Sequence, residues 1–348
     1  MQNKTFQWAV IGAGPAGIAA VGKLIDFGVE PHTIVWFDPE FKVGDFGSKW
    51  HKVHSNTKVK SFIKSFEDCN SFQFKTVSNK FAIQDIDLEE TCELSLAAQP
   101  LQWITDHLKL KVNILHEKVQ HLKLHSRHWE INSSSQKNYA KNVILAIGAE
   151  PKSLEFANKE EISLDIALHP EKLQFSCKKD DVIGVFGSSH SAICILRNLL
   201  EECSVNKVVN FYLSPLRYAV YFEDWILFDN TGLKGTAADW ARKHIDGKHP
   251  ENLERVILDE KNIHPSFTLC NKMIYATGFK KRHIAIEGIE KLEYNEKSGI
   301  IASGLFGLGI AFPEAKHDCF GTLEYSVGIW KFIDYLNRVM PVWLQYSP

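Results

Sequence analysis

The 348-residue sequence lacks the cysteine spacing that dithiol and zinc chemistry need. No two cysteines form a C-x-x-C pair, so local spacing provides neither a dithiol redox centre nor a zinc ribbon. The seven cysteines are Cys69, Cys92, Cys177, Cys194, Cys203, Cys270 and Cys319. An odd count with irregular spacing is typical of a reducing compartment rather than of a disulfide framework.

The sequence also lacks an excess of charge and a long apolar run. Lys and Arg number 40 against 42 Asp and Glu, which leaves no electrostatic footprint for nucleic acid or an anionic membrane. No run of about 18 apolar residues is present, and the short apolar run at Trp8 soon reaches glycines. These features predict neither a spanning helix nor a signal peptide, so we expect a cytoplasmic protein. Because no H-E-x-x-H pattern occurs, we expect no metal.

A dinucleotide-binding pattern opens the chain. A short apolar run, residues 7–11, predicts a buried strand. A glycine-rich turn follows it, Gly12-Ala13-Gly14-Pro15-Ala16-Gly17. Residues 18–25 then predict a helix that Gly28 ends, and residues 33–38 predict a second strand that finishes at Asp38.

Each residue of this pattern has a physical reason. Gly12 permits the tight turn, Gly14 lets the backbone approach a pyrophosphate, and Gly17 lets helix and strand pack closely. The helix N-terminus offers free N–H groups to phosphates, and Asp38 can accept hydrogen bonds from ribose hydroxyls. A tight turn without a ligand is the alternative, but it leaves Asp38 unexplained.

A second unit repeats the plan. Strands are predicted at 181–186 and 207–212, with a helix at 193–200 between them. The turn carries Gly187, Ser188, Ser189 and Ser191, with serine where the second glycine would stand. A turn that only packs is therefore the alternative to a second nucleotide site. No base follows the second strand before Arg217, so the choice between NADPH and NADH stays open.

The remaining segments are less regular. We expect loop with short elements over 44–80, a helix over 91–108, and a strand and meander over 112–145 with a turn at 133–135. An insertion covers about 214–252, and the tail is expected to form a helix from about Gly321 to Val339.

A segment rich in glycine and polar residues follows Asp38. Gly47 lets the chain run close to a cofactor and Trp50 offers a flat surface. His51 and His54 could donate protons, since an imidazole titrates near neutrality, or could simply be solvated. Asn56 follows two residues later.

The assembly resembles the two-dinucleotide-binding-domain flavoproteins, and within them the flavin-containing monooxygenases. The first turn matches, residues 47–50 are similar to the Gly-Gly-x-Trp stretch of that family, and residues 53–57 are similar to its Ser-Asn loop beside the flavin. The turn at 187–192 and the Ala-Thr-Gly strand at 273–279 match the second domain. Two positions depart from the family: Ser189 replaces glycine, and only His169 remains of the F-x-G-x-x-x-H signature.

The resemblance implies an α/β fold of two doubly wound Rossmann-type domains, the second inserted into the first. Residues 1–152 and 282–348 would bind FAD, and residues 153–281, with the insertion, would bind NADP or NAD. The implied catalytic residues are Asn56, His54 and Trp50. Further implied cofactor contacts are Gly47, Val119, Ala146, Gly148, Gly187, Ser188, Ser189, Ser191, Gly278 and Gly309.

Three functions fit the sequence. The first is an NAD(P)H-dependent monooxygenase that oxygenates a nucleophilic nitrogen or sulfur through a flavin C4a-hydroperoxide, as the resemblance implies. The second is an NAD(P)H:acceptor flavin reductase, and the third is a flavin-binding regulator without turnover. We expect a small-molecule substrate, no nucleic-acid or membrane partner, and allow for a homodimer.

Overall fold

The computed structural model describes residues 5–77, 80–154, 159–258, 265–289 and 292–347. Its strands are β1 Thr5–Ile11, β2 Ile34–Phe37, β3 His54–Lys58, β4 Thr91–Glu93, β5 Asn113–Leu115, β6 Val119–His125, β7 His128–Ser133, β8 Lys137–Leu145, β9 Ala149–Pro151, β10 Glu160–Glu161, β11 Val182–Phe186, β12 Lys207–Tyr212, β13 Val220–Tyr221, β14 Ile226–Leu227, β15 Leu253–Ile257, β16 Lys272–Tyr275, β17 Phe279–Lys281, β18 Ala285–Glu287, β19 Ile300–Ala302, β20 Leu305–Gly307, β21 Glu314–His317 and β22 Leu323–Ser326.

The α-helices of the same residues are α1 Pro15–Asp26, α2 Gly44–Ser48, α3 Val59–Glu67, α4 Leu94–Lys109, α5 Leu164–Ala167, α6 Pro170–Ser176, α7 His190–Arg197, α8 Gly235–Ala241, α9 Pro265–Leu269 and α10 Ile329–Trp343. Two of them continue as π-helical turns, α7 into Asn198–Glu202 and α8 into Arg242–Gly247.

The first sheet is mixed, and its strands run in the order β18-β6-β7-β8-β1-β2-β5, with β20 also pairing β8. Strands β8, β1, β2 and β5 are parallel, so their carboxyl ends meet at one edge. Helices α1, α4 and α10 cover one face. The other face packs a separate apolar cluster that includes Trp129 and Leu305. The βαβ unit predicted from the first motif is therefore present.

The second sheet is parallel throughout, in the order β10-β16-β11-β12-β15. Apolar residues face both sides of it: Ile183 and Val185 pack toward α7 and α8, while Phe186 and Phe211 pack on the opposite side against Phe267 of α9. Two sheets with carboxyl-edge turns confirm the prediction of an α/β fold of Rossmann type.

Two short strands join the sheets. The chain leaves the first sheet through β9 and returns through β17, and these strands pair antiparallel. Lys280 and Glu150 form an ion pair across them at 3.1 Å. The two connections between the sheets therefore lie side by side, as the paired strands β9 and β17.

The prediction that the tail helix begins at about Gly321 is wrong. Residues 314–326 form an antiparallel hairpin, with Gly321 at φ +81° in the turn. Burial alternates along Leu323–Ser326, which is the period of a strand. Helix α10 begins only at Ile329, after Gly328 at φ +138°.

Other segments agree more closely with the predictions made from the sequence. The loop expected over 44–80 contains a nine-residue helix, α3, and the helix expected over 91–108 begins at Leu94, after β4. The insertion between β12 and β15 folds into a hairpin, β13-β14, and the helix α8. All seven cysteines are free.

Candidate active site

A cavity of about 990 Å³ opens at the carboxyl edge of the first sheet and extends to the second unit and the insertion. Twelve of the residues predicted for the site line it: Gly12, Gly14, Pro15, Ala16, Asp38, Trp50, His54, Asn56, Ala146, Gly148, Ser191 and Gly309. The fold therefore brings the first turn, the Ser-Asn loop and the start of the second nucleotide helix to one place.

The three glycines of the first turn have different surroundings. At Gly12, with φ +108°, a Cβ atom would lie 2.3 Å from the carbonyl oxygen of Ala146. At Gly17 a Cβ atom would lie 1.9 Å from the oxygen of Gly12. Gly14 is different, because its backbone is extended and the nearest atom to such a Cβ would be 3.9 Å away.

Gly14 thus has no reason within the protein to be glycine, and it leaves an open cradle at the N-terminus of α1. This is the fit that a dinucleotide pyrophosphate requires. Gly309, at φ +88°, approaches the same turn from the C-terminal segment, where a Cβ atom would lie 2.7 Å from Cβ of Ala16.

Asp38 holds the shape of this turn. Its carboxylate accepts hydrogen bonds from the backbone N–H groups of Ala13, at 2.8 Å, and of Glu40 and Phe41, at 2.9 and 2.7 Å. The residue also lines the cavity. It can therefore order the loop and still face a ribose.

Asn56 lies on β3 and lines the cavity. Its Oδ1 accepts a hydrogen bond from Oγ1 of Thr57 at 3.4 Å, while Nδ2 donates none to a described residue. Trp50 lines the same cavity and lies edge-on to Phe279 of β17, with 6.0 Å between ring centroids. A free amide and a flat aromatic ring thus flank the passage between the two units.

His54 is linked to the second unit. Its backbone oxygen lies 3.0 Å from Nε2 of His190, the first residue of α7. Burial, with a contribution from Arg197, lowers the pKa of His54 below its usual value of about 6.5. Held neutral, this imidazole is suited to accept a proton.

Two other histidines meet between the units. The ring of His51 lies 5.6 Å from that of His169, and Nδ1 of each is buried without a partner in the described residues. Burial, with Lys172 adding to it, lowers the pKa of His169, and burial also lowers that of His190. Burial at the interface between the units therefore favours the neutral form of His169 and of His190.

The second nucleotide turn repeats the geometry of the first. A Cβ atom added at Gly187, whose φ is +124°, would lie 2.4 Å from the carbonyl oxygen of Ala276. A Cβ atom added at Gly12 would be equally crowded by the carbonyl oxygen of Ala146. Ser189 takes the place of Gly14 with an extended backbone, and its side chain is exposed. The serine therefore fits the turn without strain.

An arginine that the sequence analysis missed lies beside this turn. Asn210 donates to the oxygen of Gly187 at 2.8 Å and accepts from Nε of Arg255 at 3.1 Å. The guanidinium lies 4.1 Å above the ring of Tyr212, at the end of β12, and its Nη2 is buried without a partner in the described residues. Only the adjacency of β12 and β15 brings Arg255 there, so no local signal could have shown it.

Several predicted residues do not line the cavity. Gly17 and Gly47 pack against backbone, Val119 belongs to the apolar cluster behind the first sheet, and Gly278 lies in a turn at φ +94°. Gly187, Ser188 and Ser189 lie outside it too, although Ser191 of the same turn lines it. Their roles in cofactor binding stay predictions.

The cavity also contains charged groups that the sequence analysis did not single out. Arg282, which follows β17, forms an ion pair with Asp45 of α2. Asp229 of the insertion pairs with Lys234 and with Lys331 of α10. Burial opposes ionisation of Asp229, but the two lysines outweigh it and lower its pKa.

Comparisons with known proteins agree with this geometry. Residues 9–211 match the family described as pyridine nucleotide-disulphide oxidoreductase. Monooxygenase AgnR1 of Paecilomyces divaricatus is 30% identical over 384 aligned positions, which cover 96% of this chain and 97% of that protein. The chain belongs to this family, and the resemblance stated from the sequence is confirmed.

Solved structures show the same fold. An ornithine N-hydroxylase of Kutzneria sp. 744 has a TM-score of 0.68 at 11% identity and covers 98% of this chain and 99% of its own. Thioredoxin reductase of Lactococcus lactis has a TM-score of 0.58 at 13% identity, with coverage of 98% and 99%. Among the described residues, no helix is both long and apolar enough to cross a membrane.

Substitutions at Gly14 and Gly17 should separate binding from folding. Gly14→Val places its Cβ in open space, so the protein should fold but lose FAD, because the added methyl groups fill the pyrophosphate cradle. Gly17→Val should not fold, because its Cβ collides with the Gly12 carbonyl. The measurements are the melting temperature and the flavin released by heat, compared with FAD and FMN standards. Stoichiometric FAD in folded Gly14→Val protein would contradict the assignment.

Stability should fall on acidification below about pH 6.5. His54, His169 and His190 have lowered pKa values in the folded state, so the unfolded chain binds more protons in this range. We expect the melting temperature to drop by on the order of 5 °C from pH 7.5 to 5.5. His190→Gln should reduce the drop, whereas His32→Gln, at an exposed site, should not. An equal drop in both variants would refute this explanation.

Proposed function

We propose that this protein is an FAD-dependent NAD(P)H monooxygenase that oxygenates a nucleophilic nitrogen or sulfur atom. The observation that carries the proposal is the single cavity that joins the Gly14 cradle to Asn56 and to Ser191 of the second nucleotide turn. The curated relative with 30% identity is itself named a monooxygenase.

The first unit, residues 1–152 and 282–348, would hold FAD. Gly12, Gly14 and the N-terminus of α1 would bind the pyrophosphate and Asp38 the ribose, with Ala146, Gly148 and Gly309 along the cavity wall. When bound, FAD supplies two-electron transfer from the nicotinamide and activation of oxygen.

The second unit, residues 153–281, would hold the nicotinamide coenzyme. The turn at Gly187 and the start of α7 would bind its pyrophosphate, and Arg255, held by Asn210 beside this turn, would recognise a 2′-phosphate or the adenine. His190 joins this helix to the backbone of His54, so the coenzyme turn and the Asn56 strand are fixed relative to each other.

Three residues of the chain would act at the reacting edge. Asn56, whose Nδ2 donates to no described residue, would supply a hydrogen-bond donor at the reacting edge. His54, held neutral, accepts a proton from the substrate or from a water molecule. Trp50, which meets Phe279 of β17, would help to exclude water from the reacting edge.

An NAD(P)H:acceptor reductase is the second candidate, because the chain shares its fold with a thioredoxin reductase. Without a C-x-x-C pair, its electrons would have to pass to an external acceptor. Anaerobic NADPH should bleach the flavin of either enzyme but not that of a regulator. Oxygenated product formed on admission of oxygen would distinguish a monooxygenase. A cytoplasmic location and a homodimer stay predictions.

Replacement of Asn56 should uncouple oxygen use from product formation. Asn56→Asp keeps the shape but replaces a donor with an anion that repels developing negative charge. Losing such a donor costs about 3 kcal/mol, so coupling should fall roughly 100-fold. The measurement is hydrogen peroxide released per NAD(P)H consumed, with methyl sulfides and amines as substrates.

Flavin content and flavin reduction should stay unchanged in this variant. Asn206→Asp, at an exposed position outside the cavity, adds the same charge as a control and should behave like the wild type. If the wild type already releases all of its reducing equivalents as peroxide and Asn56→Asp changes nothing, the reductase becomes the better explanation.

Arg255 should set the preference between NADPH and NADH. Arg255→Gln keeps a donor near Asn210 but removes the charge, so flavin reduction by NADPH should weaken about tenfold while reduction by NADH changes little. Stopped-flow reduction with each coenzyme measures this ratio. Arg217→Gln is the matched control, since Arg217 lies over Phe228 within the insertion. A wild-type enzyme that prefers NADH would contradict the role of Arg255.

A further inference from the structure

Two hairpins from distant parts of the chain meet at the opening of the cavity. One is β13-β14 of the insertion and the other is β21-β22 of the C-terminal segment. Together they present an aromatic mouth, which we define as Tyr221, Phe222, Trp225, Phe320 and Tyr325. Four of these residues line the cavity itself, and Phe320 lies next to Cys319, which does so too.

Four of the five rings of the aromatic mouth are exposed to solvent, while Trp225 is half-buried. Tyr221, Phe222 and Tyr325 are 44–48% exposed, and Phe320 is 73% exposed. Leu323 of the second hairpin is 43% exposed, and Val327, which follows that hairpin, is 41% exposed. Contiguous exposed apolar area of this kind marks a binding surface, because burying it in contact with a ligand is favourable.

The arrangement of the rings indicates the shape of that ligand. Phe222 and Trp225 lie parallel, with ring centroids 4.5 Å apart and an interplanar angle of 3°. Phe320 meets Trp225 edge-on at 5.7 Å. One face of Tyr221 is already taken by Nζ of Lys58, 4.6 Å from its centroid. The Phe222–Trp225 stack is thus the flat platform that a further ring can extend.

Buried polar contacts fix this platform in place. Glu324 of β22 is only 6% exposed and accepts hydrogen bonds from Asn230 and Thr231 of the insertion at 2.8–3.2 Å. Lys331 of α10 reaches the same loop and donates to Oδ1 of Asn230 at 2.6 Å. The two hairpins are therefore held together before any ligand arrives.

The charges near the rings act against an anionic ligand. Glu223 and Asp224 form the tip between Phe222 and Trp225, and neither forms an ion pair within the described part of the chain. The nearby Lys58 and Lys60 share the single carboxylate of Glu89. In this group of described residues three carboxylates, those of Glu223, Asp224 and Glu89, stand against two lysines, and this balance disfavours an anion at the mouth.

We propose that the aromatic mouth binds the oxygenation substrate and selects for an uncharged, planar aromatic molecule, with Trp225 as the main specificity-determining residue. The substrate ring would extend the Phe222–Trp225 stack and direct its nucleophilic atom into the cavity toward Asn56. This inference rests on the proposed function for the chemistry, but the selection of a flat ring can be measured as binding alone.

Two other occupants are possible for an exposed apolar surface, and the experiment distinguishes them. The carboxylates of Glu223 and Asp224 oppose an anionic membrane surface. A second copy of this chain would make the aromatic mouth a dimer interface, so that loss of Trp225 would change the oligomeric state.

The experiment compares two sulfides with the same number of carbon atoms, methyl 2-naphthyl sulfide and methyl decyl sulfide. Their dissociation constants for the oxidised FAD-loaded protein are measured by calorimetry. The naphthyl sulfide should bind about tenfold more weakly to Trp225→Leu, which keeps an apolar side chain but removes the ring. The decyl sulfide should change less than about twofold, and Trp225→Phe should restore much of the naphthyl affinity.

The controls cover folding and assembly. Phe175→Leu, on α6 at 93% exposure and outside the cavity, should leave both constants unchanged. Light scattering gives the oligomeric state of each variant. Equal effects of Trp225→Leu on the two sulfides, or dissociation of a dimer in that variant, would overturn the proposal. Absence of sulfoxide product with intact naphthyl binding would instead count against the proposed function and leave the ring selection standing.

Discussion

The site depends first on the pairing of β9 with β17, because these strands are where the chain leaves the first sheet and returns to it. Pairing brings Gly148 and Arg282 together, with the N–H of Arg282 donating to the oxygen of Gly148 at 3.1 Å. Arg282 then pairs with Asp45 beside the first turn. This pairing acts together with the contact between His190 and the backbone of His54 to place the second unit against the first turn.

The contacts between the units combine ion pairs, such as that of Asp229 with Lys331, with contacts between imidazoles. Because only two short strands join the units, side chains form most of the interface between them. His190 contacts the backbone of His54 there, and the rings of His51 and His169 pack together. Neutral imidazoles can approach without the desolvation cost of ions. The lowered pKa values therefore belong to the way the units are joined, as well as to any proton transfer at the reacting edge.

Local patterns were enough to predict the fold and the first half of the site. The requirement for glycine at Gly17 comes from a contact with Gly12 inside one βαβ unit, and the spacing of the motif shows this directly, although Gly12 itself also packs against the distant Ala146. Arg255 and Glu324 could not be found this way, because Arg255 reaches Asn210 across 45 positions and Glu324 reaches Asn230 across 94. The tail helix was misplaced for a related reason: residues 314–326 form strands only because they pair with each other.

Local contacts form the part of the site that would bind the cofactor, whereas contacts between distant segments form the part that would select the substrate. The cofactor groups are shared by many reactions, and short turns with a fixed backbone geometry are sufficient to bind them. Discrimination among substrates needs surfaces whose shape is set by several segments at once. Here the insertion and the C-terminal hairpin provide that surface, and the buried contacts of Glu324 and Lys331 couple them to α10, whose first residues line the same cavity. A change in the insertion therefore alters the cavity opening while leaving the Gly14 cradle untouched, so substrate range can vary without loss of the cofactor.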